Sequence, residues 1–185
     1  MIDREEEEFG FAPEHDAPIP YLQRIRDYYQ ALGYGAPYRW AHYAEVPFAP
    51  LKKPLHASRI GLITTAAPYQ RDKGDQGPGA PYNAAAKFYT VYSGDGAAEH
   101  DLRISHVGYD RTHTTAEDSN TWFPLPALRR LAEPGNAGRR IGEVAPRFHG
   151  APTNRSHRAT IDTDCPELLA RLCEDQVDAV LLVAV

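Results

Sequence analysis

The sequence predicts an α/β domain of three layers, in which helices flank a mostly parallel sheet. Two observations lead to this fold class. Continuous apolar runs at 59–67 and 177–185 are typical of strands covered on both faces of a parallel sheet. Amphipathic helical patterns at 123–131 and 164–173 alternate with strand patterns, as they do in α/β domains. The length of 185 residues suits a single domain.

Composition and charge limit the partners of the chain. Its 20 basic and 25 acidic residues give a net charge of -5 without a basic stripe, which disfavours binding to nucleic acid. The apolar run 177–185 is too short to span a bilayer, and the acidic N-terminus does not resemble a signal peptide. Cys165 and Cys173 fall on one predicted helix and make an improbable disulfide. We therefore expect a cytoplasmic protein that binds neither nucleic acid nor membrane.

Two segments precede the main domain. Residues 1–19 are acidic and contain proline, so we expect a disordered head. In the segment 20–58, a helix is predicted from Pro20 to Gly33 because its apolar positions recur every three to four residues. The rest of this segment is rich in proline and aromatic residues and is expected to wrap the domain in an extended form.

The elements of the 59–185 domain can be placed in order. Asp164 is expected to cap the last helix, and its Leu168, Leu169, Leu172 and Cys173 are expected to be buried. The last strand is expected to lie centrally in the sheet. In chain order the predictions are a strand at 59–67, a loop at 69–81, strands at 85–92 and 102–107, a polar loop at 110–120, a helix at 123–131, a strand at 141–145, a helix at 164–173 and a strand at 177–185.

The densest group of polar side chains begins where the 102–107 strand ends. Ligands of open α/β sheets bind beyond the carboxyl ends of strands, so this group is a candidate site. A histidine and two carboxylates in this group could transfer protons near neutral pH, because a nearby aspartate can orient a histidine. The alternative is a polar loop whose histidines and aspartates cap each other. The candidate site residues are Ser105, His106, Tyr109, Asp110, Asp118 and Asn120.

Other chemistries find weaker support. His106, His113 and His149 could serve a metal-dependent hydrolase, but no pair of histidines or cysteines has the spacing of a zinc motif, and we predict no metal site. The glycines at 74–79 match no nucleotide-binding motif. Cys165 and Cys173 are expected to act as core or capping residues rather than as nucleophiles.

Three sequence blocks, 101–110, 118–125 and 128–131, resemble the selenoprotein B subunits of the glycine/sarcosine/betaine reductases. They resemble the related selenoprotein subunit of D-proline reductase more closely. Segments 59–66, 141–147 and 177–183 match in the same order, so the resemblance covers about residues 20 to 185. It departs at Thr65-Ala66-Ala67, where relatives favour glycine, and in 150–163, which carries Arg155, His157 and Arg158.

The resemblance implies reductive cleavage of a carbon–nitrogen bond in an amino acid or derivative. A selenocysteine or cysteine attacks, and a thiol resolves the mixed selenide–sulfide. In relatives that residue follows the strand that corresponds to 177–183, so the resemblance implies no cofactor within this chain and a nucleophile just beyond Val185. The domain is then expected to be incomplete at its C-terminus, through a UGA codon read as a stop or through a naturally short homologue.

The resemblance also implies roles and partners. His106 would be the acid–base residue, Asp110 its partner, and the other four candidate residues would line the pocket. An amino-acid-like substrate, subunits of a reductase complex or a second copy of the chain would be the partners. The alternatives left open are a non-catalytic binding or assembly module of the same fold and the metal-dependent hydrolase.

Overall fold

The computed structural model describes residues 18–35, 43–47, 49–77, 80–106, 108–110, 112–113, 116–153 and 156–184. The chain divides into two compact units, residues Met1–His42 and residues Tyr43–Val185. Nearly all of the predicted head lies outside the described residues, and the boundaries predicted at residues 19 and 58 stay predictions. Within the described ranges, none of the helices has the length and apolar character needed to cross a membrane.

The first unit contains one described helix, α1 (Tyr21–Ala31), within the range that the sequence predicts. Gly33 follows it with a φ of 84°, a left-handed conformation that glycine adopts without steric cost, so the helix ends where the pattern indicates. Tyr29 packs against Tyr34, with 5.2 Å between the ring centroids, but no residue of α1 is buried. The tyrosine-rich face is therefore largely exposed.

The second unit is mixed α/β, and its sheet is mostly parallel, as predicted. β1 (Arg59–Thr64) pairs in parallel with β7 (Ala179–Val183) along one side. On its other side β1 pairs in parallel first with β5 (Glu143–Val144) and then with β6 (Arg147–Gly150). β3 (Tyr92–Asp95) adds to β6 in the antiparallel direction.

A two-stranded antiparallel ribbon follows the end of β1. It pairs β2 (Ala67–Pro68) with β4 (Leu102–Arg103). The strand predicted over 102–107 is thus only two residues long, and the chain after Arg103 is irregular. The ribbon places the polar residues after β4 close to the end of β1.

The strand predicted at 85–92 is wrong. A 3-10 turn, Ala84–Ala86, occupies its start, and the side chain of Asn83 accepts a hydrogen bond from the backbone of Ala85. β3 begins only at Tyr92, and it pairs Gly94 with Phe148. A Cβ atom at Gly94 would lie 2.3 Å from the Phe148 ring. The pairing of β3 with β6 in this register therefore requires glycine at position 94.

Two apolar clusters hold the helices to the sheet. Ile60 and Leu62 of β1 share the larger cluster with Leu125 of α2 (Leu125–Ala132), a helix that the sequence predicts. Ile63 shares the smaller one with Leu172 of α4 (Cys165–Glu174). Neighbouring residues of a strand point to opposite faces, so β1 contributes to both clusters. The complete three-layer arrangement stays a prediction.

The last helix starts earlier than predicted. Helical conformation begins with α3 (His157–Ala159), where the Ser156 side chain accepts a hydrogen bond from the backbone of Ala159 at 3.2 Å. A π-helical segment, Thr160–Asp164, then leads into α4. Asp164 is therefore a buried residue inside a helix rather than its cap. Pro166 lacks an N–H and crowds the preceding turn, which explains the wider π turn just before it.

The burial predicted for α4 is half correct. Leu168 and Leu172 are buried, whereas Leu169 is 63% exposed and Cys173 is exposed. Only one side of α4, which carries Leu168 and Leu172, packs on the sheet. This side lies close to β1 at Gly61, where a Cβ atom would lie 3.0 Å from Leu172. The predicted core role of the cysteines is wrong, since Cys165 is exposed too.

Two strands differ from their predictions. β6 was not predicted, because Phe148 is its only large apolar residue and the pattern there is too short to recognise. β7 forms as predicted but not as a central strand: among the described residues it pairs only with β1. Its Val180, Leu181 and Leu182 are all exposed, whereas a strand covered on both faces would bury them.

Candidate functional site

The carboxyl ends of three parallel strands meet at Thr64. This residue lies opposite Gly150 of β6 and opposite Val183 of β7. Its hydroxyl donates a hydrogen bond to the backbone oxygen of Trp122 at 2.6 Å and accepts one from the backbone N–H of Ala66 at 3.1 Å. The turn before Trp122 is thereby held at the carboxyl edge of the sheet, the edge where α/β proteins bind ligands.

Asp118 and Asn120 form that turn. The Oδ1 atom of Asp118 accepts hydrogen bonds from the backbone N–H and the side-chain amide of Asn120, each at 2.9 Å. These bonds hold the pKa of Asp118 below its ordinary value. The Oδ1 atom of Asn120 is buried and has no hydrogen-bond partner within the described part of the chain. Buried polar atoms are normally satisfied, so this oxygen is an exception among the described residues.

Ser105, His106 and Tyr109 are half-buried and lie within six residues after the end of β4. The hydroxyl of Ser105 donates to the backbone oxygen of Asn83 at 2.9 Å, so it helps to hold the loop. Nδ1 of His106 accepts a hydrogen bond from the backbone N–H of Gly108 at 3.1 Å. In a neutral ring this bond assigns the proton to Nε2.

Asp110 is buried and contacts His113, a histidine of the same loop. Its Oδ1 atom accepts hydrogen bonds from the backbone N–H groups of Thr112 and His113, and its Oδ2 atom lies 2.8 Å from Nδ1 of His113. This matches the alternative in which residues of a polar loop cap each other. It is also the geometry in which a carboxylate orients an imidazole for proton transfer. The pairing of Asp110 with His106 stays a prediction.

A cavity of about 140 Å³ lies between β4 and the turn that begins at Asp118. None of the six predicted site residues lines it, although Ser105 and Asp118 each follow a lining residue in the sequence. Its lining contains both apolar and charged residues. The apolar ones include Leu102, Ile104 and Trp122, and the charged ones are Asp101, Arg103 and Glu117.

Arg103 lines this cavity but is not one of the residues that the sequence predicts for the site. Arg103 occupies a polar position of an alternating strand pattern, which usually means exposure to solvent. In the structure its Nε and Nη2 atoms donate to the two carboxylate oxygens of Asp101, at 2.5 and 2.9 Å. This hydrogen-bonded pair raises the pKa of Arg103 further, so the guanidinium keeps its charge. The only signal in the sequence was the short spacing of two opposite charges.

A second polar network lies inside the sheet around His149, which is fully buried. Its Nδ1 atom lies 2.8 Å from Oγ of Ser93, and its Nε2 atom lies 3.3 Å from a carboxylate oxygen of Asp175, a contact without hydrogen-bond alignment. Arg147 donates to the same carboxylate, and Arg171 donates to Ser93. Burial holds the pKa of His149 below its ordinary value, although Asp175 opposes this shift.

The structure does not assemble His106, His113 and His149 into a metal site. His149 lies in β6 against Ser93, and His113 contacts Asp110. The described residues contain no group of three or more histidine, cysteine, aspartate or glutamate side chains that could hold a metal ion. The metal-dependent hydrolase therefore gains no support from the arrangement of these residues.

Comparison with known proteins shows the family of this chain. The family model described as glycine/sarcosine/betaine reductase selenoprotein B matches residues 29–185. No curated protein and no solved structure shows a match. The matched range includes every strand described above and all six predicted site residues.

Proposed function

We propose a function for this chain from its family: it belongs to the glycine/sarcosine/betaine reductase selenoprotein B family. The proposal is that the chain serves as a subunit of a cytoplasmic reductase that cleaves a carbon–nitrogen bond of an amino acid or derivative. Thiols are the reductant in this proposal. Other subunits of a reductase complex, or a second copy of the chain, are the proposed macromolecular partners.

One observation carries the proposal in the structure. The turn formed by Asp118 and Asn120 is tied through Trp122 to Thr64, at the meeting point of three parallel strands. This turn belongs to one of the sequence blocks that resemble the family. The buried hydrogen bond from the Thr64 hydroxyl to the backbone oxygen of Trp122 is costly to break. It therefore holds the turn in place at the edge of the sheet where α/β proteins bind ligands.

We assign proton transfer to His106 and the support of this loop to Asp110. Because Asp110 contacts His113, its substitution is expected to act through the conformation of the loop as well as through any histidine that it orients. Ser105, Tyr109, Asp118 and Asn120 are the proposed substrate-lining residues. The buried Oδ1 atom of Asn120 supports this role, because buried polar atoms normally have a hydrogen-bond partner and the described residues supply none.

The proposed nucleophile is a selenocysteine or cysteine that follows β7 in a longer chain. The carboxyl end of β7 lies beside Thr64, so a residue that continues this strand would enter the same edge of the sheet as the Asp118 turn. The two cysteines of the sequence, Cys165 and Cys173, lie on α4 and are exposed. The proposal does not use them, because the nucleophile that it requires follows β7 rather than α4.

The test compares chains extended past Val185. The nucleotides after the Val185 codon are read first, and the extended chain is then made with cysteine or with serine at the predicted position. We expect thiol-dependent reduction of an amino-acid substrate with cysteine and none with serine. Equal activity of the two chains would rule out the nucleophile. Binding of substrate without reduction by either chain would favour the non-catalytic binding module.

The role of His106 is tested in the active extended chain. His106→Gln is expected to lower kcat by about 100-fold or more, as loss of a general acid or base does. His113→Gln is the matched control, because it removes a histidine from the same loop and is expected to have a smaller effect. A larger loss with His113→Gln would transfer the assignment to the Asp110–His113 pair.

A further inference from the structure

We propose that two copies of this chain pair through their last helices, which pack against each other in the antiparallel direction. The contact surface is a row of exposed residues, the helix stripe, which consists of Ile161, Cys165, Leu169 and Cys173. The two-fold axis passes between Cys165 and Leu169. The inference rests on the part of the proposed function that allows a second copy as a partner, but not on the chemistry of reduction.

The helix stripe recurs every four residues along one continuous helical segment. This segment runs from His157 through the π-helical residues Thr160–Asp164 to the end of α4 at Glu174. Side chains that are four residues apart are neighbours on the surface of a helix, so the stripe forms one ridge. At about 1.5 Å per residue, the ridge from Ile161 to Cys173 is about 18 Å long.

The helix stripe is apolar but faces solvent. Leu169 is 63% exposed, Ile161 is 51% exposed and both cysteines are exposed. A free cysteine behaves as a small apolar side chain. The helix already packs on the sheet through Leu168 and Leu172, so the stripe is a second apolar side where a surface helix normally carries polar residues. A contiguous exposed apolar surface of this kind is typical of a protein–protein contact.

Charges at the two ends of the segment favour a second copy in the antiparallel direction. The side chain of Arg158, at the start of the segment, is 91% exposed, and that of Glu174, at its end, is 66% exposed. About the proposed two-fold axis, Arg158 of each copy lies near the height of Glu174 of the other. A parallel pair would place like charges together. The helix dipoles favour the antiparallel direction as well.

The helix stripe is also complementary to itself in shape. With the two-fold axis between Cys165 and Leu169, Cys165 of one copy lies beside Leu169 of the other. Ile161 of one copy then lies beside Cys173 of the other. Each branched aliphatic side chain thus faces a small thiol, and such alternation of large and small side chains allows two helices to interdigitate.

We expect a dimer of modest affinity. Glu167 and Arg171 lie on the same helix and form an ion pair within their own copy, so pairing of the copies leaves neither of these charges without a partner. One ridge on each helix buries less than the roughly 1,200 Å² of a standard stable interface. The dissociation constant is therefore expected to lie between about 10 μM and about 1 mM.

Sedimentation velocity of the 185-residue chain tests the pairing. Between about 1 μM and about 1 mM, we expect a change from monomer to dimer. The rate at which iodoacetamide alkylates Cys165 and Cys173 should fall over the same range, because the contact covers both thiols. A chain that stays monomeric would overturn the proposal and leave the stripe to another occupant. A dimer whose thiols react at the monomer rate would overturn it too, because the contact would lie elsewhere.

Leu169→Glu connects the dimer to the helix stripe. This change is expected to raise the dissociation constant at least about tenfold, because it places two charges in the contact. Leu22→Glu is the control, since Leu22 is 60% exposed and also lies on a helix, α1. An equal effect of the two variants on dimerisation would contradict the proposal. Their melting temperatures at about 1 μM, where the chain is expected to be monomeric, separate loss of pairing from loss of folding.

A charge exchange tests the antiparallel direction. Arg158→Glu and Glu174→Arg are each expected to weaken the dimer about threefold or more, because each one places like charges together at both ends of the contact. The two changes in one chain should restore the affinity. In a parallel pair the double variant would bind no better than the single ones, so absence of this rescue would overturn the antiparallel arrangement.

The pairing and the reductase function fail in different ways. If the 185-residue chain dimerises through the helix stripe but the extended cysteine chain reduces nothing, the pairing stands and the reductase assignment fails. If the extended chain reduces an amino acid while the 185-residue chain stays monomeric, the reductase assignment stands and the pairing fails.

Discussion

Individual residues of the candidate site have two kinds of role in this fold. Ser105 and Asp118 use their side chains to hold loop and turn backbone, so their presence in a polar cluster follows from local structure as much as from chemistry. Asn120 has a buried Oδ1 atom without a hydrogen-bond partner among the described residues, and Arg103 has N–H groups that Asp101 and Gln76 do not use. Unsatisfied or preorganised polar groups are the better guide to ligand contacts.

A pH dependence is expected from His149. Burial lowers its pKa in the folded protein, so the unfolded chain binds more protons below an ordinary histidine pKa of about 6.5. Stability should therefore fall as the pH decreases from about 7.5 to 5.5, although Asp175 favours the charged ring while Arg147 and Arg171 oppose it. Denaturant unfolding across this range checks the slope. His149→Gln should flatten it, and an unchanged slope would show that another group titrates.

At the scale of elements, glycine decides where strands can meet. A Cβ atom at Gly150 would lie 1.8 Å from the ring of Tyr92, its partner on β3, and one at Gly94 would clash with Phe148. The antiparallel pairing of β3 with β6 therefore requires glycine opposite each ring, Gly150 opposite Tyr92 and Gly94 opposite Phe148. The isolated sequence of either strand carries little sign of this.

Gly150→Ala is expected to destabilise the protein by about 1–3 kcal/mol through overpacking against Tyr92. Urea unfolding of the variant measures the loss. Gly35→Ala is the control, since nothing lies within 4 Å of a Cβ atom there. Adding Tyr92→Ala should recover part of the loss if the ring causes it, and strict additivity of the two changes would contradict this cause.

The position of β7 gives a second prediction at this scale. Leu62→Ala in β1 should cost about 2–5 kcal/mol because Leu62 is 1% exposed and belongs to the core. Leu182→Ala in β7 should cost less than about 1 kcal/mol because Leu182 is 63% exposed. Unfolding free energies of the two variants provide the comparison. Similar losses would mean that β7 is covered in solution, as its sequence alone indicates.

At the scale of the whole molecule, the sheet and the candidate site are joined through Thr64. Its hydroxyl donates a hydrogen bond from the end of β1 to the backbone oxygen of Trp122, and Trp122 lines the cavity beside β4. Because Trp122 belongs to the larger apolar cluster, this hydrogen bond joins that cluster to the carboxyl edge of the sheet. Substitution of Thr64 should therefore lower the stability of the protein and also loosen the turn before Trp122.

Thr64→Val keeps the shape of the side chain but leaves the backbone oxygen of Trp122 buried without this donor. We expect a loss of about 1–3 kcal/mol and faster amide hydrogen exchange in the turn before Trp122. Thr121→Val is the control, because the hydroxyl of Thr121 bonds to the exposed turn at Asp118 and water can replace it. Equal losses of stability and equal amide exchange in the two variants would show that the Thr64 hydroxyl does not hold the turn.

The sequence by itself determined the elements with a strong period, namely α1, α2 and β1, and the family of the chain. It also located the polar cluster, because strand ends and polar loops are local features. Tertiary structure decided the rest. β6 exists because Phe148 packs under Gly94, Asp110 turns to His113 because the loop folds back, and Arg103 reaches a cavity because β2 and β4 pair. Such outcomes depend on contacts between distant residues, which neither periodicity nor spacing records.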